Sequence, residues 1–311
     1  MPASGGSTRR ATSSRSCWSC GTRHRGERWE TESHVRSRRG PPLETPRGRE
    51  RLPRRHFGVG ADGIVRALAG DDEAALSMEL RNADGSFAEM SGNGIRCLVQ
   101  AAVEAGVVAD GAVAVKTAAG VRKVDYRTLE PGLGHGAVEM GPATLGPEFA
   151  AEEPAGVERA RSVDMGNPHI VLMCAPVDDE VVRTAGARLE RSVPGGVNVE
   201  FAWRDTGPEA LDVRVFERGA GETLACGTGA CAAAAAAHSW GMVGNHVHVH
   251  LPGGTLEVEI GEHTIVLRGP TRKVAEVMIR ESDLSGLVDE LIGRQSPGVS
   301  TGSPSEVVGR R

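Results

Sequence analysis

The chain carries one loop-to-helix unit twice. Residues 82–99 read NADGSFAEMSGNGIRCLV, and residues 217–237 read ERGAGETLACGTGACAAAAAA. Asn82 precedes Ser91 by nine residues, as Glu217 precedes Cys226. Ser91-Gly92-Asn93-Gly94 aligns with Cys226-Gly227-Thr228-Gly229 without a gap. Each copy then runs into small residues, Leu98 to Ala105 and Ala230 to Ala237. The second run has the helix propensity of polyalanine, and its small side chains let other elements sheath it closely. A duplicated unit of this kind implies two similar lobes that face each other. Ser91 and Cys226 then sit where a loop becomes a helix. Unpaired N–H groups and the positive end of the helix dipole favour a thiolate at such a position. A carboxylate between the two helix starts would be held by the same backbone groups.

Length and composition set the frame. A chain of 311 residues allows one large domain or two lobes, and 39% hydrophobic residues suffice for a core. Aromatics make up only 3%, so packing relies on Val, Leu, Ile and Ala. Charge is unevenly spread. Residues 1–55 hold 14 Arg and no Lys against 5 Glu, a balance of +9, which leaves 22 basic and 36 acidic residues, or −14, for the remainder. The acidic remainder has no evident nucleic-acid surface. Neither a signal peptide nor an apolar run long enough to span a membrane is visible. The six scattered cysteines therefore read as reduced thiols of a cytoplasmic protein.

Residues 1–55 are rich in Arg, Ser, Gly and Pro and show no period of a helix or strand. Cys17-x-x-Cys20 with His24 mimics half of a zinc knuckle but lacks a second pair. FGVGADG at 57–63 marks a tight turn before a strand at Ile64-Val65. Residues 75–81 alternate as a strand that delivers Asn82 to an Asn-Ala-Asp-Gly turn. Ser91 opens the first central helix, with Cys97 as a core residue. Residues 112–117 and 121–126 read as a hairpin about Ala119-Gly120, and 127–150 as a Gly/Pro-rich link between lobes. Gly166-Asn167-Pro168-His169 forms a polar knot beside the apolar Ile170 to Met173. Buried polar groups need partners, so this knot marks a site. Asp178 to Arg191 looks helical, Asn198 opens a strand, and Leu211 to Phe216 delivers Glu217 and Arg218. Strands follow at 247–250, 256–260, 265–267 and 274–279. His246, His248 and His250 share one strand face, read as a solvent face opposite Val247 and Val249 rather than as a metal site. From Ser296 onward the composition is that of a disordered tail.

Five stretches, in order, carry a resemblance: FGVGADG (57–63), NADGSFAEMSGNGIR (82–96), GNPH (166–169), VNVE (197–200) and ERGAGETLACGTGA (217–230). The chain resembles the diaminopimelate epimerases, which are cofactor-independent amino-acid epimerases. The resemblance implies an α+β fold of two pseudo-symmetric lobes, each a curved, mostly antiparallel sheet wrapped around a central helix. It places 56–130 in the first lobe, with 270–285 returning to it, and 131–269 in the second. Residues 286–311 are then a helix end and a disordered tail. It implies Cys226 as one catalytic residue, supported by Glu217 and His169, and puts Ser91 where the family has its second cysteine. Asn82, Asn167, Asn198, Glu217 and Arg218 are the implied substrate ligands, with Gly92, Asn93, Gly227 and Thr228 as donors. No metal, no cofactor and a homodimer are implied.

The family's first strand is not recognisable in residues 1–55. Three readings of that segment stay open: a basic arm for nucleic acid, a disordered extension, or an artefactual stretch read out of frame. The abrupt onset of motifs at Phe57 favours the last over the first.

The chemistry follows from the residues. The α-proton of an amino acid is a very weak acid, and the chain shows no lysine in a pyridoxal-phosphate setting and no P-loop. Carbanion stabilisation would fall to the two helix starts, and Arg218 suits a bidentate carboxylate. A serine hydroxyl is a much weaker acid than a thiol, and each pKa unit of mismatch is worth about 1.4 kcal/mol. Three functions stay open. The first is an epimerase interconverting L,L- and meso-2,6-diaminopimelate for lysine and peptidoglycan, working or weakened by Ser91. The second is a one-base exchange or elimination enzyme using Cys226. The third is a non-catalytic relative that binds a diamino acid or a partner protein.

Overall fold

The computed structural model describes residues 60–82, 85–151, 154, 156–204, 207 and 209–277, together with the backbone of 17–20 and 32–36. The first half contains β1 (Cys17–Cys20), β2 (Glu32–Arg36), β3 (Gly63–Ala69), β4 (Leu76–Asn82), β5 (Phe87–Ala88), α1 (Gly92–Glu104), β6 (Gly111–Thr117), β7 (Gly120–Glu130) and β8 (Leu133–Gly141). A short β9 (Thr144–Glu148) leads to β10 (Arg159–Asp164), β11 (Pro168–Met173), α2 (Asp179–Ser192), β12 (Asn198–Arg204), β13 (Ala210–Glu217) and β14 (Gly221–Thr223). The chain continues through α3 (Gly227–Ser239), β15 (His246–Leu251), β16 (Gly254–Ile260) and β17 (Ile265–Val277).

The halves repeat one topology. β3 and β4 pair antiparallel, α1 crosses over, and β6 returns parallel to β4. β12 and β13 pair antiparallel, α3 crosses over, and β15 returns parallel to β13. β2 lies parallel to β3 as β11 lies parallel to β12. Equivalent points are a constant 135 residues apart: Gly63 and Asn198, Asn82 and Glu217, Ser91 and Cys226, Gly111 and His246.

In the first lobe the ladder closes on itself, β17-β8-β7-β6-β4-β3-β2-β1 and back to β17, around α1. The second lobe is an open curl, β9-β10-β11-β12-β13-β15-β16-β17, around α3. β17 serves both lobes. Ile265–Arg268 pair with β16, Lys273–Val277 pair with β1, and β8 runs along its other edge. The lobes are therefore joined by continuous backbone hydrogen bonding rather than by a hinge loop.

Local sequence explains the elements. In β13 the apolar Leu211, Val213 and Val215 turn inward while Asp212 and Arg214 lie between them. α3 is buried on every side from Gly227 to Ala237, which an alanine surface permits because strands can close on it from all directions. Ser91 Oγ accepts from Gly94 N at 3.0 Å and Cys226 Sγ from Gly229 N at 3.4 Å, so each residue caps its helix. Val247 and Val249 are buried while His246 and His248 face solvent. Among the described residues, no helix is long and apolar enough to cross a membrane.

Three expectations require correction. Residues 127–150 run from one lobe to the other as ordered strand and not as an irregular passage: they form the end of β7, all of β8, and β9. Their glycines make room for neighbours. A Cβ on Gly134 would lie 1.9 Å from Tyr126 Oη, and one on Gly136 would lie 3.0 Å from Arg96 Cδ. Second, β1 and β2 fall inside the segment where no period is visible. Ladders are made by backbone groups, and strands of four and five residues are too short for alternation to register. Third, residues 274–277 continue β17 instead of opening a new strand. The expected tail, the end of the returning segment, and the side chains of Cys17, Cys20 and His24 lie outside the described residues.

Candidate active site

The first turns of α1 and α3 meet. A Cβ built on Gly227 would lie 2.8 Å from Gly92 Cα, and one on Gly92 would lie 3.1 Å from Gly227 Cα. Only glycine lets two helix starts approach this closely. The capping residues have nearly the same backbone, φ −139° and ψ 122° at Ser91, φ −133° and ψ 117° at Cys226.

A cavity of about 50 Å³ opens on this junction. Both lobes line it, with Asp62, Asn82, Glu89 and Ser91 on one side and Asn167, Asn198, Glu217, Arg218, Cys226 and Thr228 among those on the other. Of the residues predicted from sequence, Gly92, Asn93 and His169 do not line it. Gly92 is covered by Gly227, and Asn93 Oδ1 accepts from Arg96 Nη2 at 2.7 Å. His169 lies behind the wall, where its Nε2 is 2.9 Å from Asn167 Oδ1 and its Nδ1 is 2.7 Å from Glu200 Oε1.

The lining side chains are already held by protein partners. Asn82 Nδ2 donates to Ser86 Oγ at 3.0 Å. Asn198 donates to Pro168 O at 3.1 Å and accepts from Arg218 N at 3.0 Å, so its amide ties β11 to the turn after β13. Arg218 Nη2 pairs with Glu89 Oε2 at 2.9 Å, a contact between lobes within the cavity lining. Thr223 Oγ1 donates to Glu217 Oε1.

Electrostatics overturn one expectation. Local reasoning puts a thiolate at the start of α3. Instead, burial pushes Cys226 well above the ordinary thiol value, and the carboxylates of Glu217 and Glu200 push it further. Hydrogen bonds from Thr228 and from Gly229 N oppose this and do not win. Burial also raises Glu217 to about 7, against hydrogen bonds from Thr223 and Cys226 and with help from the charges of Glu200 and Asp62. Burial and the neighbouring carboxylates thus hold Glu217 and Cys226 toward their protonated forms.

Sequence reasoning missed Asp62, Glu89, Thr223 and Glu200 as members of this neighbourhood. Glu200 had a visible signal, a carboxylate inside the apolar Val199–Ala202 run. The Glu89 contact had none, because its partner is 129 residues away.

The family model described as diaminopimelate epimerase matches residues 35–146 and 161–274. A diaminopimelate epimerase from Pelotomaculum thermopropionicum is 41% identical over 237 residues, covering 71% of this chain and 84% of the relative. One from Corynebacterium aurimucosum is 40% identical over 247 residues, covering 71% and 86%. Among solved structures, a hydroxyproline epimerase from Agrobacterium vitis matches with a TM-score of 0.65 at 16% identity, over 86% of this chain and 93% of that one. A predicted epimerase from Pseudomonas aeruginosa matches with a TM-score of 0.66 at 16% identity, over 86% and 99%. At such identities the structural matches speak for the two-lobed fold alone.

Proposed function

The chain belongs to the diaminopimelate epimerase family, and from that premise we propose that it interconverts L,L- and meso-2,6-diaminopimelate without a cofactor. The observation that carries the proposal is the junction of two helix starts, each capped by a residue that carries a proton, on one cavity between lobes. A reacting carboxylate would take the N–H groups of Gly227 and Thr228, which line the cavity, and those of Gly92 and Asn93 only where the substrate reaches the facing helix start. Its α-carbon would then lie between Ser91 and Cys226. Removal of the α-proton spreads charge onto that carboxylate, where the same N–H groups stabilise it. Glu217 and Arg218 supply opposite charges for the ammonium and the second carboxylate.

Substrate binding also changes the thiol. An ammonium beside Glu217 offsets the negative charge that keeps Cys226 protonated, so the base forms when the substrate is in place. Cys226 takes the proton from one face. The Ser91 hydroxyl can deliver a proton from the other, because the carbanion is far more basic than an alkoxide. The alkoxide left behind must then recover its proton. The reverse reaction needs that alkoxide as a base. An enzyme leaves the equilibrium between isomers unchanged, so both directions are slowed together. We place this activity in the cytoplasm, in a homodimer that supplies lysine and peptidoglycan synthesis.

The test is α-proton exchange in deuterated water, read by NMR with each isomer as the starting material. The expected result is rapid exchange from the one isomer whose α-hydrogen faces Cys226, with slower inversion. Ser91 favours a second reading, exchange or elimination by Cys226 alone, which fast exchange with no inversion would select. No exchange from either isomer would leave only a binding protein.

A further inference from the structure

We infer that Glu200 is a positioning residue that keeps a line of hydrogen-bond donors aimed at Cys226 through His169, Asn167 and Thr228. The use made of the sulfur rests on the epimerase reading; the line itself does not. β11 and β12 run parallel, with His169 beside Asn198, which brings the imidazole against the carboxylate two residues further on. Both side chains are fully buried, with 2.7 Å between His169 Nδ1 and Glu200 Oε1. Glu200 Oε2 has no hydrogen-bond partner among the described residues. A buried carboxylate with a bare oxygen is costly to a fold, so its retention calls for a role. α3 is built around it: a Cβ on Gly229 would lie 2.7 Å from Glu200 Oε1.

From the ring the contacts lead outward. His169 Nε2 is 2.9 Å from Asn167 Oδ1, Asn167 Nδ2 is 3.4 Å from Thr228 Oγ1, and Thr228 Oγ1 is 3.5 Å from Cys226 Sγ. Against an ionised Glu200, which only accepts, His169 Nδ1 is the donor. With a second hydrogen on Nε2, Asn167 offers its oxygen to the ring and its amide hydrogen to Thr228. The single hydroxyl hydrogen of Thr228 then points at sulfur, and every donor leads to a thiolate. With Nε2 bare, the Asn167 amide turns over, because its two ends are interchangeable in outline. Its oxygen then accepts from Thr228, and the sulfur must donate as a thiol. The line has two self-consistent arrangements, imidazolium with thiolate and imidazole with thiol. Glu200 acts on the choice between them through its contact with Nδ1.

The charged and titratable groups around this line are Glu200 from β12, His169 from β11, Glu217 and Arg218 at the end of β13, and Cys226 at the start of α3, with Asp62 before β3 acting on Glu217. Taken directly, the charge on Glu200 raises the thiol. Acting through His169, it lowers it. The two routes predict opposite signs.

Glu200→Gln keeps the shape and an oxygen for Nδ1 while removing the charge. The full chain is alkylated with iodoacetamide across pH 8–11, and the peptide carrying Cys226 is followed by mass spectrometry. Alkylation needs no turnover, so its outcome is separate from that of the exchange experiment. We expect the alkylation midpoint of Glu200→Gln to move up by about one pH unit, a roughly tenfold loss of rate on the rising limb. Glu200→Asp should recover part of the shift. Thr228→Val, which leaves the buried pair untouched, should also move the midpoint up. A downward or absent shift in Glu200→Gln would overturn the inference, as would an unchanged midpoint in Thr228→Val.

Discussion

Replacing Ser91 with cysteine restores a thiol at the first helix start, and its effect can be worked from the two caps. Their φ angles, −139° and −133°, and ψ angles, 122° and 117°, are close enough for a sulfur at 91 to inherit the geometry of Cys226. The cap bond is 3.0 Å to Ser91 Oγ and 3.4 Å to Cys226 Sγ, the lengthening that sulfur requires. An aliphatic hydroxyl is a far weaker acid than a thiol, which ionises at about 8.5, and each unit of that gap is worth about 1.4 kcal/mol. A proton in transit expresses only part of it, and a positioned acid or base is worth roughly 10²–10⁴-fold. We therefore expect Ser91→Cys to raise kcat for inversion by about 10²–10⁴-fold. KM should stay within a few-fold, because the ground-state ligands are elsewhere. A weaker cap costs about 0.5–1 kcal/mol of stability. The assay is conversion of the L,L to the meso form in deuterated water, with exchange read in the same samples. Unchanged inversion with exchange intact would refute the reasoning, since some other group would then be serving the second face.

Three further outcomes follow from particular contacts. Glu217 is raised to about 7 in the fold from an ordinary 4.5, so its contribution to stability is fully present below about 4.5 and is lost as pH rises through 7. Glu217→Gln should therefore gain Tm relative to the parent as calorimetry moves from pH 5 to pH 8; a difference independent of pH would show an ordinary carboxyl. Gly227→Ala places a Cβ 2.8 Å from Gly92 Cα and 2.9 Å from Leu267 Cδ2; we expect about 1–3 kcal/mol of destabilisation and at least a tenfold loss of exchange, and full exchange would show that the close approach is dispensable. Gly134→Ala drives a methyl into Tyr126, 1.9 Å from its Oη, and should lower Tm by roughly 3–10 °C; an unchanged Tm would return residues 127–150 to the status of a loop.

Much of the architecture was legible because its signals are local. A cap residue followed by small residues reads as a helix start, and Leu211-Asp212-Val213-Arg214-Val215 alternates as its burial does. The duplicated cap implied two facing lobes before any strand was placed. β8 was illegible because its glycines look like flexibility when they are accommodations for Tyr126 and Arg96. β12 is buried on both faces over its first five residues, so no alternation separates Glu200 from its neighbours. The state of Cys226 was misjudged for a related reason. The helix dipole belongs to the local sequence, whereas the burial and the two carboxylates that outweigh it arrive from β12 and β13.

The constant offset of 135 residues makes the lobes comparable side chain by side chain, and the comparison is lopsided. Asn82 stands opposite Glu217, Ser91 opposite Cys226, and the buried Val65 opposite Glu200. The second lobe brings Glu200, Glu217 and Cys226 to the site, and the first has Val65, Asn82 and Ser91 at the same offset. What the first lobe keeps is the shape of its helix start. Arg96 donates to Gly92 O at 2.9 Å and to Asn93 Oδ1 at 2.7 Å, and its stem lies against Gly136 of β8. Carboxylate binding by backbone N–H groups depends on that shape and not on the identity of residue 91. A serine at 91 therefore removes an acid–base group from the lobe that holds few of them, while the lobe able to form a base is left whole. The fold thus separates holding the carboxylate, which both lobes can do, from moving the proton, for which only the second lobe has its full set of groups.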